Sequence, residues 1–167
     1  MTTREHDDLL AALAQHRGFL RYTTSGLTDE QAAQVSTVSD LCVGGLIKHV
    51  TRMEGRWVDF IERGAEAFGT FDETTYAAHA ASFVMEPGDS LAQLLDDYVA
   101  AAERTTRVVS GLESLDGAGD LPVTPWWPAG TRWTHRRALL HVIAETAQHA
   151  GHADIIREAI DGQKTMG

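Results

Sequence analysis

The amino-acid sequence predicts an all-α protein, a four-helix bundle with one long crossover connection. Two observations carry this prediction. Four long segments repeat apolar residues at the three- and four-residue spacing of a helix, and no segment gives a convincing strand pattern. A length of 167 residues with 43% hydrophobic residues suits one compact core. We therefore expect a single domain over residues 1–167.

The first half of the chain contains two of the long helices. The first is predicted over about residues 4–24, and Ser25-Gly26 ends it. Thr28-Asp29-Glu30-Gln31 has the pattern of a capping box and predicts a short helix. The second long helix is predicted to begin near Ser39 or Asp40, both good N-cap residues, and to end at Gly64.

The second half begins with the crossover. Residues 65–88 form a long, weakly patterned connection with room for a helical turn, and such connections usually reflect function or a crossover between helices. The third long helix is predicted from Asp89 or Ser90 to about Leu112. A loop rich in Gly, Asp and Pro follows, and the fourth helix runs from after Thr134 to Asp161-Gly162.

Composition excludes several classes of partner and location. The net charge of −10 disfavours a nucleic acid or an anionic membrane, because both require a basic face. No apolar run approaches the length of a membrane span, and the polar start of the chain is no signal peptide. Cys42 is the only cysteine, so we expect a cytoplasmic protein without an intrachain disulfide. Twelve Arg against two Lys suggest a GC-rich genome.

Four ionisable side chains share one face of the fourth long helix: His141, Glu145, His149 and His152. At about 100° per residue they lie within an arc of roughly 80°. A face that packs into a core normally carries Leu, Val and Ile instead. Glu145 and His149 are one turn apart, so they project together and can bind one cation.

His49 supplies a possible third ligand from another helix. It lies in the apolar stripe of the second long helix, where a neutral imidazole needs partners for both nitrogens. Together, His49, Glu145 and His149 make a set of two histidines and one carboxylate. Three protein ligands leave a position open, as in catalytic zinc sites. Related sites also hold non-haem iron, so the ligands alone do not fix the metal.

Structural alternatives exist for each of these residues. A buried histidine taken alone is more often a hydrogen-bonded core residue, and a Glu-x-x-x-His pair is more often an intrahelical contact. We interpret His141 as a pocket residue or a residue that supports the ligands, with a plain packed histidine as the alternative. We interpret His152 as a fourth ligand or an orienting partner. The remaining histidines have no spacing partner and are predicted to lie at the surface: His6, His16, His79 and His135. Three tryptophans before the fourth helix are candidates for a pocket rim, although core anchoring is the commoner role: Trp126, Trp127 and Trp133.

The segment from Arg132-Trp133-Thr134 through His141, Glu145, His149 and His152 closely resembles the DinB-like superfamily, and Gly45-Leu46-Ile47-Lys48-His49-Val50 is similar to its second-helix motif. The similarity spans essentially the whole chain, and more narrowly the chain looks like an actinobacterial subfamily long labelled a domain of unknown function. This resemblance implies an up-down-down-up bundle and a divalent metal, held in many members by three histidines. Glu145 stands in place of one histidine, as in mycothiol-dependent maleylpyruvate isomerases, so the resemblance assigns the ligand roles to His49, Glu145 and His149.

Relatives with known activity are largely thiol-dependent isomerases and S-transferases. The resemblance therefore implies a metal-dependent S-transferase that uses a mycothiol-type thiol and a small-molecule electrophile, with zinc as the first choice of metal and nickel, iron or manganese as alternatives. His141 or His152 would relay the thiol proton. The chain lacks the second domain of the isomerases, which argues against maleylpyruvate isomerisation. A metal-binding stress or sensor protein without turnover, and a bundle that has lost its metal, stay open as alternatives. Bundles of this kind often form homodimers.

Overall fold

The computed structural model describes residues 3–165, so Met1 and Thr2 of the polar start lie outside it, as do residues 166 and 167. Its α-helices are α1 (Arg4–Tyr22), α2 (Asp29–Ala32), α3 (Val43–Arg63), α4 (Glu73–Ala81), α5 (Leu91–Gly111) and α6 (His135–Asp161). A 3₁₀ helix (Gly64–Phe68) follows α3, and two short strands, β1 (Ala118–Asp120) and β2 (Arg132–Thr134), pair antiparallel. None of the described helices is long and apolar enough to cross a membrane.

The helices α1 and α6 lie side by side and run in the same direction. Near the start of both, Arg136 donates to Glu5 over 3.0 Å. Near the end of both, Arg157 donates to the carbonyl oxygens of Thr23 and Ser25, each at 2.8 Å. These contacts fix the first and last long helices as a parallel pair.

The helices α3 and α5 form the second parallel pair, and this pair runs opposite to the first. Arg104 of α5 binds Asp59 in the last turns of α3 at 2.6 Å. Against α6 the direction reverses, because the early residue His49 meets the late His149, whereas Trp57 meets His141. The bundle is therefore up-down-down-up, as expected, with the long crossover between α3 and α5.

The start of α3 differs from the prediction. Neither Ser39 nor Asp40 is the N-cap; the helix begins at Val43, and Cys42 occupies the cap with its sulfur accepting from the Gly45 amide. Ser39 instead accepts from the nearby Leu41 amide over 3.2 Å. Such local bonds satisfy backbone donors outside a helix and so delay its start.

Two segments are more regular than predicted. The connection after α3 contains the nine-residue helix α4 as well as the 3₁₀ helix, and Asp72 caps α4 by accepting from the Thr75 amide. The chain also contains the hairpin strands β1 and β2, against the expectation of no strands. Each strand has three residues, which is too short for an alternation of apolar and polar residues to be recognised in the sequence. Gly119 of β1 lies against the Phe60 ring, which seats the hairpin at the end of α3.

A buried ion pair links three of the long helices. Glu54 of α3 is 0% exposed, and Arg17 of α1 binds it through both Nε, at 3.1 Å, and a terminal nitrogen. Thr105 of α5 donates its hydroxyl to the same carboxylate. Because a buried carboxylate is costly without such partners, these bonds tie α1, α3 and α5 together.

Removing the cation of this pair should destabilise the fold. We expect Arg17→Met to lower the free energy of unfolding by about 3 kcal/mol, because Glu54 would stay buried without its counter-charge. Arg21→Met, at an exposed position on the same helix, should change it by less than about 0.5 kcal/mol. Urea unfolding followed by circular dichroism measures both, and equal effects of the two substitutions would contradict a stabilising role for the pair.

Candidate metal centre

Packing of α3 against α6 brings together the three side chains that the sequence predicts as ligands. One potential ligand atom from each of His49, Glu145 and His149 lies within 4.8 Å of the other two. The two imidazoles are buried, with 6% of His49 and 8% of His149 exposed, and Glu145 is half-buried. The structure thus assembles the predicted trio; its role as a metal site stays a prediction.

Glu145 lies between two histidines of its own helix. Its Oε2 is 3.4 Å from Nε2 of His149, and its Oε1 is 3.9 Å from Nε2 of His141. Hydrogen bonding from His149 is the main reason that the pKa of Glu145 is below its usual value, and burial opposes the shift. Glu145 is therefore a carboxylate at neutral pH, which is the form that binds a cation.

His49 is in contact with residues at the end of α4 and just after it in the crossover. Its Nδ1 lies 3.0 Å from the Ser82 hydroxyl, and its ring stacks on Phe83 with the ring centres 3.8 Å apart. The His79 ring approaches it edge-on at 5.5 Å. These contacts surround the imidazole on the side away from α6.

Burial keeps His49 neutral. Loss of solvation lowers its pKa to about 3, and the neighbouring His149 contributes in the same direction. A neutral imidazole has one nitrogen with a free lone pair, which a metal ligand requires. The site therefore offers a ligand at neutral pH without first removing a proton from His49.

The donor set fits a divalent cation such as zinc. Zinc binds imidazole nitrogen and carboxylate oxygen at about 2.0–2.2 Å, so tetrahedral ligands lie about 3.4 Å apart. The pair Glu145 and His149 has that separation, and small side-chain movements would bring His49 equally close. One carboxylate and two neutral imidazoles would leave a bound divalent ion with a net charge of +1, suited to an anionic fourth ligand.

The trio lies in a cleft of about 870 Å³. The cleft runs between α3, α6 and the crossover, and its far wall is aromatic: Phe68, Phe71, Tyr76, Trp126 and Trp127. Arg52 and Arg56, on α3, also line it, in a chain whose net charge is −10. A volume of this size accommodates a small molecule beside the trio.

The other predicted site residues divide into two groups. His141, Trp126 and Trp127 line the cleft. Trp133 is not part of its lining and stacks on Trp57, with ring centres 4.7 Å apart. His152 is also outside the lining, and its Nδ1 lies 3.4 Å from Nδ1 of His149. The orienting role of His152 stays a prediction.

Sequence reasoning missed the contribution of the crossover. Ser82 and Phe83 gave no signal, because only tertiary packing brings them to His49. His79 is at the surface, as predicted, yet its ring also lies over His49. His6 was predicted at the surface and is 1% exposed, because its ring folds back on Thr3 at the start of α1, with Nδ1 2.7 Å from the hydroxyl.

The bundle and its cleft define the class of protein. An up-down-down-up bundle with a cluster of histidine and carboxylate on the α3–α6 seam is a DinB-like protein. The family model of the mycothiol-S-transferases matches residues 8–162. The chain therefore belongs to the mycothiol-S-transferase family.

One solved structure supports the fold. A conserved protein from Enterococcus faecalis superposes with a TM-score of 0.72 at 18% identity, and the match covers 97% of this chain and 100% of that one. At this identity the similarity concerns the fold alone. The comparison with curated proteins found no match.

The low pKa of His49 has a consequence for the metal-free protein. Between about pH 3 and pH 6.5 the unfolded chain protonates this imidazole and the folded chain does not. Stability therefore rises with pH in this window and falls on acidification. With chelator present, lowering the pH from 7 to 5 should cost wild type about 2 kcal/mol more than His49→Gln. Urea unfolding at the two pH values measures this difference, and identical losses would contradict a neutral buried His49.

Proposed function

We propose that this protein is a metal-dependent thiol S-transferase that uses mycothiol, or a closely similar low-molecular-weight thiol, with a small-molecule electrophile. The observation that carries the proposal is the meeting of His49, Glu145 and His149 at one end of a cleft large enough for a second reactant. Membership of the mycothiol-S-transferase family supports the identity of the thiol.

Zinc is the metal we propose, with nickel, iron or manganese as alternatives. Two imidazoles and one carboxylate are common around catalytic zinc, which keeps a position open for water or substrate. A cation bound there would lower the pKa of an entering thiol below its free value of about 8.5 and hold it as a thiolate. His49, Glu145 and His149 would hold the cation, and His152 would orient His149 by accepting from its Nδ1–H.

His141 is our candidate for taking the thiol proton. It lines the cleft one turn before Glu145, and burial lowers its pKa, so the ring is neutral and able to accept. In the transfer, an electron pair on the thiol sulfur forms the new bond to the electrophilic carbon. The bond between that carbon and the leaving group breaks, and the leaving group departs with its electron pair. The proton on His141 then goes to the leaving group or to water.

The aromatic wall is the proposed site for the electrophile. Tyr76 and Trp126 stand edge to face with ring centres 6.5 Å apart, and both are about half exposed in the open cleft. An apolar electrophile covering these rings would remove apolar surface from water. Arg52 and Arg56 offer donors to polar groups on either reactant.

The alternative is a metal-binding stress or sensor protein without turnover. The size of the cleft and its aromatic wall favour the transferase, because a protein that only binds a metal requires neither beside the ligands. A cytoplasmic location and a homodimer are parts of the proposal carried from the sequence. Sedimentation velocity measures the oligomeric state.

Removing one ligand should weaken metal binding and abolish turnover. We expect His49→Ala and Glu145→Gln to weaken zinc binding by at least about 100-fold and to abolish metal-dependent thiol consumption in a panel of electrophiles. His16→Ala, on α1 and outside the cleft lining, should retain both properties. Metal analysis of protein purified without chelator and a thiol-consumption assay measure these effects.

Two outcomes would contradict parts of the proposal. Equally low metal content in wild type and both ligand variants would contradict the metal site. Wild type that binds metal but consumes neither mycothiol nor any other small thiol would favour the non-catalytic alternative.

A further inference from the structure

Ser82 follows the last residue of α4 and is itself 3% exposed. Its hydroxyl takes part in two short contacts: it donates to the carbonyl oxygen of His79 over 2.6 Å, and its oxygen is 3.0 Å from Nδ1 of His49. A hydroxyl has one proton, and a carbonyl oxygen can only accept. Towards His49, therefore, the Ser82 oxygen is the acceptor, and Nδ1 of His49 carries the hydrogen.

This assignment determines the other nitrogen of the ring. A neutral imidazole has one N–H, so a hydrogen on Nδ1 leaves Nε2 with a free lone pair. Phe83, the next residue, stacks on the same ring with an interplanar angle of 20°. Ser82 thus fixes the tautomer of His49, and Phe83 restricts the orientation of its ring plane.

The backbone that carries these two residues is packed directly on α3. A Cβ added at Gly45 would lie 1.9 Å from the Phe83 carbonyl oxygen, so the close approach requires glycine there. Lys48 donates to the Val84 carbonyl over 3.3 Å and binds Glu86 at 2.7 Å. Gly45 and Lys48 lie in the turn of α3 that precedes His49, so the segment that follows Ser82 is packed beside this histidine.

We propose that Ser82 is a positioning residue that holds His49 in the Nδ1–H tautomer and so presents Nε2 to the cation. The proposal rests on the metal site of the proposed function but not on transferase activity. Ligating histidines generally donate their second N–H to a fixed acceptor, and loss of that acceptor costs about 10–100-fold in metal affinity. A role limited to capping α4 through the His79 carbonyl would affect stability and leave the tautomer unchanged.

Nitrogen-15 NMR on the metal-free protein tests the tautomer directly. Long-range ¹H–¹⁵N spectra distinguish a protonated ring nitrogen from one with a lone pair, and His49 is assigned by comparison with His49→Gln. We expect Nδ1–H in wild type and in Ser82→Thr, which retains the hydroxyl, and a mixture of tautomers in Ser82→Ala. Ser36→Ala is the matched control, because Ser36 also donates to a backbone carbonyl, that of Ile156, away from the site.

Zinc affinity, measured by competition with a chromogenic chelator, completes the test. We expect Ser82→Ala to bind zinc about 10–100-fold more weakly than wild type, with Ser82→Thr within about threefold of wild type. An Nε2–H tautomer in wild type, or unchanged tautomer and affinity in Ser82→Ala, would overturn the proposal. If zinc binding depends on Ser82 but no thiol is transferred, the positioning role is supported and the transferase proposal is contradicted. If thiol is transferred but zinc affinity does not depend on Ser82, the transferase proposal is supported and the positioning role is contradicted.

Discussion

The packing of α3 against α6 places polar groups where an ordinary bundle has apolar ones, and the rest of the site depends on this constraint. Two imidazoles and one carboxylate meet at the seam, and they are costly to bury unless each has a partner. Glu145 and His149 partly satisfy each other, and Ser82 satisfies one nitrogen of His49. A cation would satisfy the lone pairs that these contacts leave. Metal binding at this seam would therefore be coupled to folding.

The crossover encloses this seam in a cleft. Its last residues are fixed on α3 through Gly45 and Lys48, whereas α4 contributes no buried residue to the core. The anchored end positions groups on His49. The exposed helix forms one wall of the cleft with Tyr76. A single connection thus contacts the candidate metal ligand His49 and also lines the cleft beside it.

The sequence predicted the parts of the structure that local chemistry determines. Apolar periodicity and capping residues located the four long helices, and Gly162 ends α6 with a left-handed backbone as expected. The trio was predictable because Glu145 and His149 are one turn apart and His49 interrupts an apolar stripe.

The features that the sequence did not reveal depend on distant contacts. Ser82 reaches His49 across 33 residues, and the packing of Trp133 on Trp57 rather than in the cleft depends on the hairpin. Neither has a local pattern. Ser39 has a strong preference for the N-cap position, but it does not mark the start of α3. Its hydroxyl oxygen accepts from the Leu41 amide before the helix begins.

The central claim is that the trio holds a cation with a position open to a thiol. X-ray absorption at the zinc edge, on zinc-loaded protein before and after addition of mycothiol, tests it most directly. We expect only nitrogen and oxygen neighbours at about 2.0–2.2 Å before addition, with the signature of imidazole, and one sulfur at about 2.3 Å afterwards. Coordination without imidazole, or no sulfur neighbour at saturating thiol, would contradict it.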